Sequence, residues 1–392
     1  RSCASAESLC PNEEPDMITD FDDYLIHQAP LPINQMGVVN RNAYDRYWFN
    51  GHDKAGTFLF EAGLGRYPNR FVQDAHFSVA VDGVQHSFHA SRRVPDNPID
   101  SSVGPMRVEV VEPMRIVRLV IDPNDTEVEC NLTFHAKAPP VQEPKNVMWD
   151  GTRLIMDTQR FTQYGTWEGY FSIKGKRYEV KRSEVIGNRD KSWGMRPVGE
   201  YEEGAPSRLT TDPAVYWVWS PIHFDGFCTH FLTREMPDGH AQELSASIVK
   251  TYPDDQEVPK DVLEVDEEVM ASATNTIRWK SGTRWPEAAG LVFEKRDGTK
   301  LEIELEPIFR FQMMGIGYQH PEWGHAVWRD ELEIGYESWK LDEVEPDEYC
   351  TIHVHNIVRA KMGDKTGIGI LETIVFGRHE PSGFQDLFDG AP

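Results

Sequence analysis

The chain has little that would mark a membrane, nucleic-acid or nucleotide-dependent protein. No apolar run approaches the roughly 20 residues needed to span a bilayer, so no integral membrane segment is expected. Positive charge is scarce: 40 Lys and Arg against 64 Asp and Glu give the 392 residues a net charge of -24. A surface that acidic repels nucleic-acid phosphates and anionic lipid headgroups, which excludes a nucleic-acid partner. Cysteine is sparse and odd in number, and Cys3, Cys10, Cys130, Cys228 and Cys350 do not describe a disulfide framework. A cytoplasmic setting follows; export behind a removed signal is the alternative, in which Cys3 and Cys10 could pair. There is no G-x-S-x-G elbow, P-loop or complete Rossmann fingerprint, so no nucleotide cofactor is expected. H-E-x-x-H and paired C-x-x-C are missing too. His353 and His355 lie two apart on an expected strand and share a face, but zinc usually needs three or four ligands, so no metal is expected either.

Helical periodicity is also in short supply. Asp261–Met270 and a short segment near Ile18–Ile26 are the helix candidates. Strand signals dominate instead. Val128, Cys130, Leu132 and Phe134 alternate with Glu129, Asn131, Thr133 and His135, the pattern of a strand with one wet face. Leu301, Ile303 and Leu305 alternate with Glu302, Glu304 and Glu306 in the same way. Asn50-Gly51, Asp82-Gly83, Lys174-Gly175 and Asp297-Gly298 punctuate the runs as tight-turn signals. Many short strands separated by turns specify an all-β sandwich or barrel. The length suggests two to three domains at roughly 150 residues each. A polar stretch rich in Gly, Pro and Thr at 199–213 marks a boundary, which leaves an extension over 1–35 and β domains over 36–212 and 213–392.

One pattern occurs twice. Gly187-Asn188-Arg189-Asp190-Lys191-Ser192-Trp193-Gly194 and Gly317-Tyr318-Gln319-His320-Pro321-Glu322-Trp323-Gly324 both read G-x-x-(D/H)-x-x-W-G. Each sets a proton-transferring side chain, Asp190 or His320, three residues ahead of a Trp-Gly pair. Tyr47-Trp48 and Tyr216-Trp217 open the two halves alike. The pattern predicts two related β units built around two equivalent turns.

The order W-F-N-G-H, then G-x-x-D-x-x-W-G, then P-E-W-G-H-A-V-W, with G-I-G-I-L-E-T-I-V-F-G at the end, resembles the AttH-like and carotenoid hydratase (hydroxyneurosporene synthase) group over residues 40–378. That group is similar to tocopherol cyclase and lipocalin-like pericyclases. The resemblance implies two lipocalin-like antiparallel barrels packed together and a hydrophobic isoprenoid-like or polycyclic substrate. It also implies hydration, dehydration, isomerisation or cyclisation without a cofactor. Asp190 matches the hydratase aspartate, while Asn188 stands where that pattern carries tyrosine.

Alkene protonation needs a carboxylic acid kept neutral near pH 7, which burial achieves by raising its pKa. Asp190 is the candidate acid, with His320 or Tyr318 assisting. Trp48, Trp193, Trp217, Trp219, Trp323 and Arg196 are the candidate substrate-binding residues, the indoles stabilising developing positive charge through their π faces. Two plainer readings stand beside this one. Asp190 could form an ion pair with Arg189, Lys191 or Arg196, and the barrels could carry a hydrophobic ligand without chemistry.

Overall fold

The computed structural model describes residues 27, 29–199, 204, 214–259 and 266–392. The protein is all-β, two curled antiparallel sheets packed against each other. Strand order in the first is β21 (Leu332–Lys340), β4 (Val84–Arg93), β3 (Val72–Val81), β2 (Phe58–Tyr67), β1 (Ala43–Asp53), β12 (Val185–Met195), β10 (Arg153–Ile173), β7 (Val128–Ala136), β6 (Ile116–Ile121) and β5 (Met106–Glu112). Three short strands, β8 (Val141–Gln142), β9 (Asn146–Asp150) and β11 (Lys176–Val180), pair onto β10. The second sheet runs β17 (Glu267–Val269), β16 (Ala241–Lys250), β15 (Phe227–Glu235), β13 (Val215–Trp219), β23 (Lys365–Phe376), β22 (His353–Met362), β20 (Lys300–Gln312), β19 (Pro286–Glu294) and β18 (Ser272–Trp279), with β14 (Ile222–Phe224) between β15 and β23. The chain changes sheet between Met195 and Val215, and returns to the first sheet once, through β21.

Local chemistry explains the elements. β7 buries every second residue, as its alternation requires. Asp82 and Gly83 both take positive φ, 53° and 79°, the backbone that a two-residue hairpin between β3 and β4 demands. Phe49, Phe60, Phe77, Phe134, Trp167 and Phe171 fill the half-barrel of the first sheet. Phe231, Leu291, Phe293 and Ile303 fill the second. β3 is buried along its whole length because one face lines the half-barrel and the other meets the second sheet. Trp48, Leu59 and Ala80 from the first sheet pack there on Trp219, Leu232, Ile357 and Ile370 from the second.

Several sequence expectations change. Asn50-Gly51 is no turn; it lies inside β1, where a Cβ on Gly51 would sit 2.2 Å from the Phe60 ring. Glycine is there to let Phe60 lie on the backbone. The two motif copies are not equivalent turns. Gly187–Gly194 is part of β12, whereas Gly317–Gly324 follows the short 3-10 helix Met313–Ile316 in the loop before β21. In the strand copy, a Cβ on Gly187 would meet the Asn50 carbonyl at 2.1 Å and one on Gly194 the Asp157 carbonyl at 2.2 Å. Close strand approach explains both glycines. The described end of the helix candidate Asp261–Met270 is strand β17. The candidate near Ile18–Ile26, Cys3, Cys10 and most of the 199–213 boundary lie outside the described residues. Cys130 and Cys228 are free thiols buried in the cores. No helix among the described residues is long and apolar enough to cross a membrane.

Candidate active site

Residues directly opposite in an antiparallel pair project to the same face. One cross-strand row of the first sheet reads Thr162, Asp190, Trp48, Gly63, His76, His89. The next reads Arg160, Ser192, Arg46, Gly65, Asp74, Ser91. This face meets the second sheet: Trp48 packs edge-on against Trp219 at 5.5 Å and Asn188 Oδ1 bonds His223 at 3.1 Å. A polar seam therefore runs between two apolar cores. Gly63 makes room in it for the Arg46 guanidinium, whose Nη2 would lie 2.0 Å from a Cβ at that position.

Asp190 is the carboxylate at one end of this seam. Burial pushes its pKa from the ordinary 3.8 up to about 6; Arg160 pulls it down and Glu143 pushes it up. Its neighbouring cations are engaged elsewhere. Arg189 Nε donates to Gln163 Oε1 at 2.8 Å, Lys191 pairs with Asp45, and Arg196 reaches His325 Nδ1 at 3.3 Å. Arg160 pairs with Glu143, which also accepts from Thr162 Oγ1 at 2.6 Å. The Arg160 guanidinium lies 5.2 Å over the Trp217 ring. Trp48, Trp217 and Trp219 thus share the seam with Asp190. Trp193 projects from the opposite face of β12 and is 42% exposed.

Tyr318 lies in the middle of the seam. Its ring packs under the Arg46 guanidinium at 5.1 Å and edge-on to His325 at 4.6 Å and His353 at 4.8 Å. Arg196 stacks 4.8 Å from Tyr44 and 5.9 Å from Tyr318. His325 Nε2 donates to the Ile316 carbonyl at 2.8 Å, so Nδ1 presents its lone pair to Arg46 and Arg196. Burial and those two guanidinium groups hold His325 well below its ordinary pKa. Burial raises Asp74, on the same face, to about 6 against the pull of Arg46.

His320 is at the far end. Its Nε2 meets Glu337 Oε1 at 2.8 Å, and the same oxygen meets His89 Nε2 at 2.9 Å. His89 continues to His76, Nδ1 to Nδ1, at 2.8 Å. Trp323 stacks on His89 at 5.4 Å and against Gly335. The structure therefore sets Asp190, Tyr318 and His320 along one seam, with Arg46 and His325 linking them. It does not gather them around one point.

Sequence reasoning missed the acids of this face. Glu61 is fully buried in β2, accepting from Trp48 Nε1 at 3.3 Å and touching His355 Nδ1 at 2.6 Å. Across the β22–β23 ladder, Glu372 Oε1 lies 2.7 Å from His353 Nε2 and 3.3 Å from His355 Nε2. Burial lowers the His355 pKa, but the two carboxylates outweigh it and carry it to about 10. The only sequence signal was a glutamate inside an apolar strand, L-F-E-A in β2 and L-E-T-I in β23.

An open groove of about 870 Å³ lies against the seam. Val147, Met148 and Trp149 of β9 and Met236 give it an apolar part, and Arg234, Asp238, His240, Gln242, Arg378 and Glu380 a polar one. Arg234 is the cross-strand partner of Trp217, so its floor adjoins the Arg160–Trp217 stack.

Fold and seam together define an all-β protein of two packed β units. The chain shares its fold with a protein assigned as AttH from Nitrosomonas europaea, with 13% identity over 85% of this chain and 92% of that chain and a TM-score of 0.51. More distant matches are kievitone hydratase from Nectria haematococca (13% identity, 84% and 88% covered, TM-score 0.43) and CghA (12%, 86% and 88%, 0.47). Residues 18–385 match the model described as "Family of unknown function (DUF8625)", and the chain belongs to that family. No curated protein matches it by sequence.

Proposed function

We propose that this protein is an enzyme that acts on a hydrophobic, isoprenoid-like or polycyclic substrate by acid-assisted hydration, dehydration, isomerisation or cyclisation. The observation that carries the reading is the state of Asp190. Its pKa of about 6 leaves a fraction of the carboxyl protonated near neutrality, although Arg160, Arg46 and Arg196 all favour the anion. Trp48 is directly across the strand and Trp217 lies beneath Arg160, so a cation formed beside Asp190 would face indole rings rather than water. The groove between β9 and β16 is the route by which an apolar molecule would reach Trp217. Tyr318 and His320, further along the seam, would assist as second proton-handling groups, His320 through its contact with Glu337.

The test is native mass spectrometry of wild type and Asp190→Asn after exposure to terpenoid, steroid and polyketide extracts. Wild type is expected to convert a bound compound, read as a change of mass for hydration or dehydration and as a changed chromatographic retention of the released compound for the mass-neutral isomerisation or cyclisation. Losing a general acid typically costs about 10²–10⁴-fold in rate, so the variant should bind the same compound unaltered. A ligand held unaltered by both proteins would make the seam a carrier site and overturn the enzyme reading.

A further inference from the structure

We propose that His353, His355 and Glu372 form a binding site for a divalent first-row transition-metal ion, with zinc as the reference ion and Glu61 as the positioning carboxylate. The site shares no residue with the acid chemistry proposed for Asp190, and either can fail without the other.

The donor atoms converge. His353 and His355 leave β22 on one face, and Glu372 reaches them from the paired position on β23, opposite His355. One ligand atom from each of His353, His355 and Glu372 lies within 4.8 Å of the other two. Ligand bonds of about 2.0–2.2 Å in a tetrahedral arrangement put ligand atoms roughly 3.3 Å apart. The His355–Glu372 separation is already 3.3 Å, and the 2.7 Å between His353 and Glu372 needs to open only slightly. Both imidazoles are 97% or more buried, while the Glu372 side chain keeps 15% exposure, the side from which an ion and a further ligand can enter.

The tautomers decide the matter. His355 Nδ1 faces Glu61 Oε1 at 2.6 Å, and a carboxylate there requires Nδ1 to carry the proton. Nε2 faces Glu372 Oε1 at 3.3 Å, and a metal ion between them would take the place of the proton that this carboxylate otherwise draws to the ring. Trp48 Nε1 in turn orients Glu61 from its other oxygen. A carboxylate fixing the far nitrogen of a ligating histidine is the usual second layer of a metal site. His353 Nδ1 has no hydrogen-bond partner among the described residues and leaves its tautomer free. Two imidazoles and one carboxylate suit zinc and its neighbours better than calcium or magnesium.

A second cluster, His89, His320 and Glu337, has similar spacing but the wrong chemistry. The backbone N–H groups of Glu322 and Trp323 donate to His320 Nδ1 at 3.0 and 2.8 Å. The proton of the neutral ring must then sit on Nε2, the atom that would have to bind the ion. Backbone geometry thus reserves that cluster for hydrogen bonding and leaves the other to a metal.

The experiment uses the full chain, stripped with a chelator and dialysed. Zn²⁺ alone is titrated calorimetrically, and Co²⁺ is followed by its visible ligand-field bands. One ion per chain is expected, with bands of a four- or five-coordinate nitrogen–oxygen site. His353→Ala and Glu372→Gln should weaken binding at least 100-fold, and Glu61→Gln about 10–100-fold. Glu337→Gln should leave it unchanged. The proposal is overturned if wild type binds neither ion at one per chain, which would make the cluster a protonated His355 clamped by two carboxylates. It is equally overturned if the His353 and Glu372 variants, shown folded by circular dichroism, bind as wild type does. The Co²⁺ spectrum of wild type decides the case if those variants do not fold.

Discussion

Replacing Asp190 with asparagine should change the stability of the protein in a manner that depends on pH. A carboxyl raised from 3.8 to about 6 on folding holds its proton roughly 100-fold more tightly in the fold than in the unfolded chain. At about 1.4 kcal/mol per tenfold, that is about 3 kcal/mol. The raised pKa fixes the sign. The stabilising effect of the bound proton is complete below about pH 4 and is lost as pH rises through 6, because the buried anion must then form without water. Asparagine keeps the shape and never ionises. Urea unfolding followed by tryptophan fluorescence should therefore show wild type losing up to about 3 kcal/mol relative to Asp190→Asn between pH 4 and pH 8. Any constant offset from the amide's own contacts cancels in that difference. A stability gap between the two proteins that stays flat over this range would show Asp190 ionised throughout, as an ordinary partner of Arg160. The acid reading would fall with it.

Two further substitutions test the frame around the seam. Gly187→Ala forces a methyl group against the Asn50 carbonyl and the Trp167 indole, and should cost about 1–3 kcal/mol by urea midpoint; a neutral result would show that β1 and β12 can separate there freely. Arg284 is 1% exposed and donates to the carbonyls of Gly377, Asp386 and Asp389 and to the Asp389 carboxylate. Arg284→Ala should release the C-terminal segment to limited proteolysis near residues 378–390 and cost on the order of 3 kcal/mol. Protease resistance equal to wild type would refute that role.

The fold class was readable because a strand's period of two is written in local sequence, as in Val128–His135, and because Asp82-Gly83 and Lys174-Gly175 need the positive φ that hairpins supply. Asn50-Gly51 misled because the same dipeptide also serves where a neighbouring ring must lie on the backbone. The repeated motif misled more deeply. Eight residues fix neither strand nor loop, and here pairing with β1 and β10 draws one copy into a sheet while the other stays in a loop. Asp190 and Tyr318 were singled out from their chemistry. Glu61, Arg160 and Glu372 were not, since each looks like an ordinary strand charge until the second sheet closes over it, and Glu143, just past β8, looks like an ordinary loop charge. Which face of a strand becomes interior is decided by partners far away in sequence, and local pattern does not carry that.

The placement of β21 has a consequence for the order in which the molecule can be made. Strand β4 emerges early in synthesis, but the strand that covers its outer edge begins roughly 240 residues later. At about 5–20 residues per second, that edge waits on the order of 10–50 s with its row of amides and carbonyls open. During that interval the nascent first sheet has an open edge on which another chain can pair. It also lacks the carboxylate of Glu337 that later engages His89. Yield should therefore be sensitive to the rate of translation between residues 93 and 332, with faster elongation shortening the exposure.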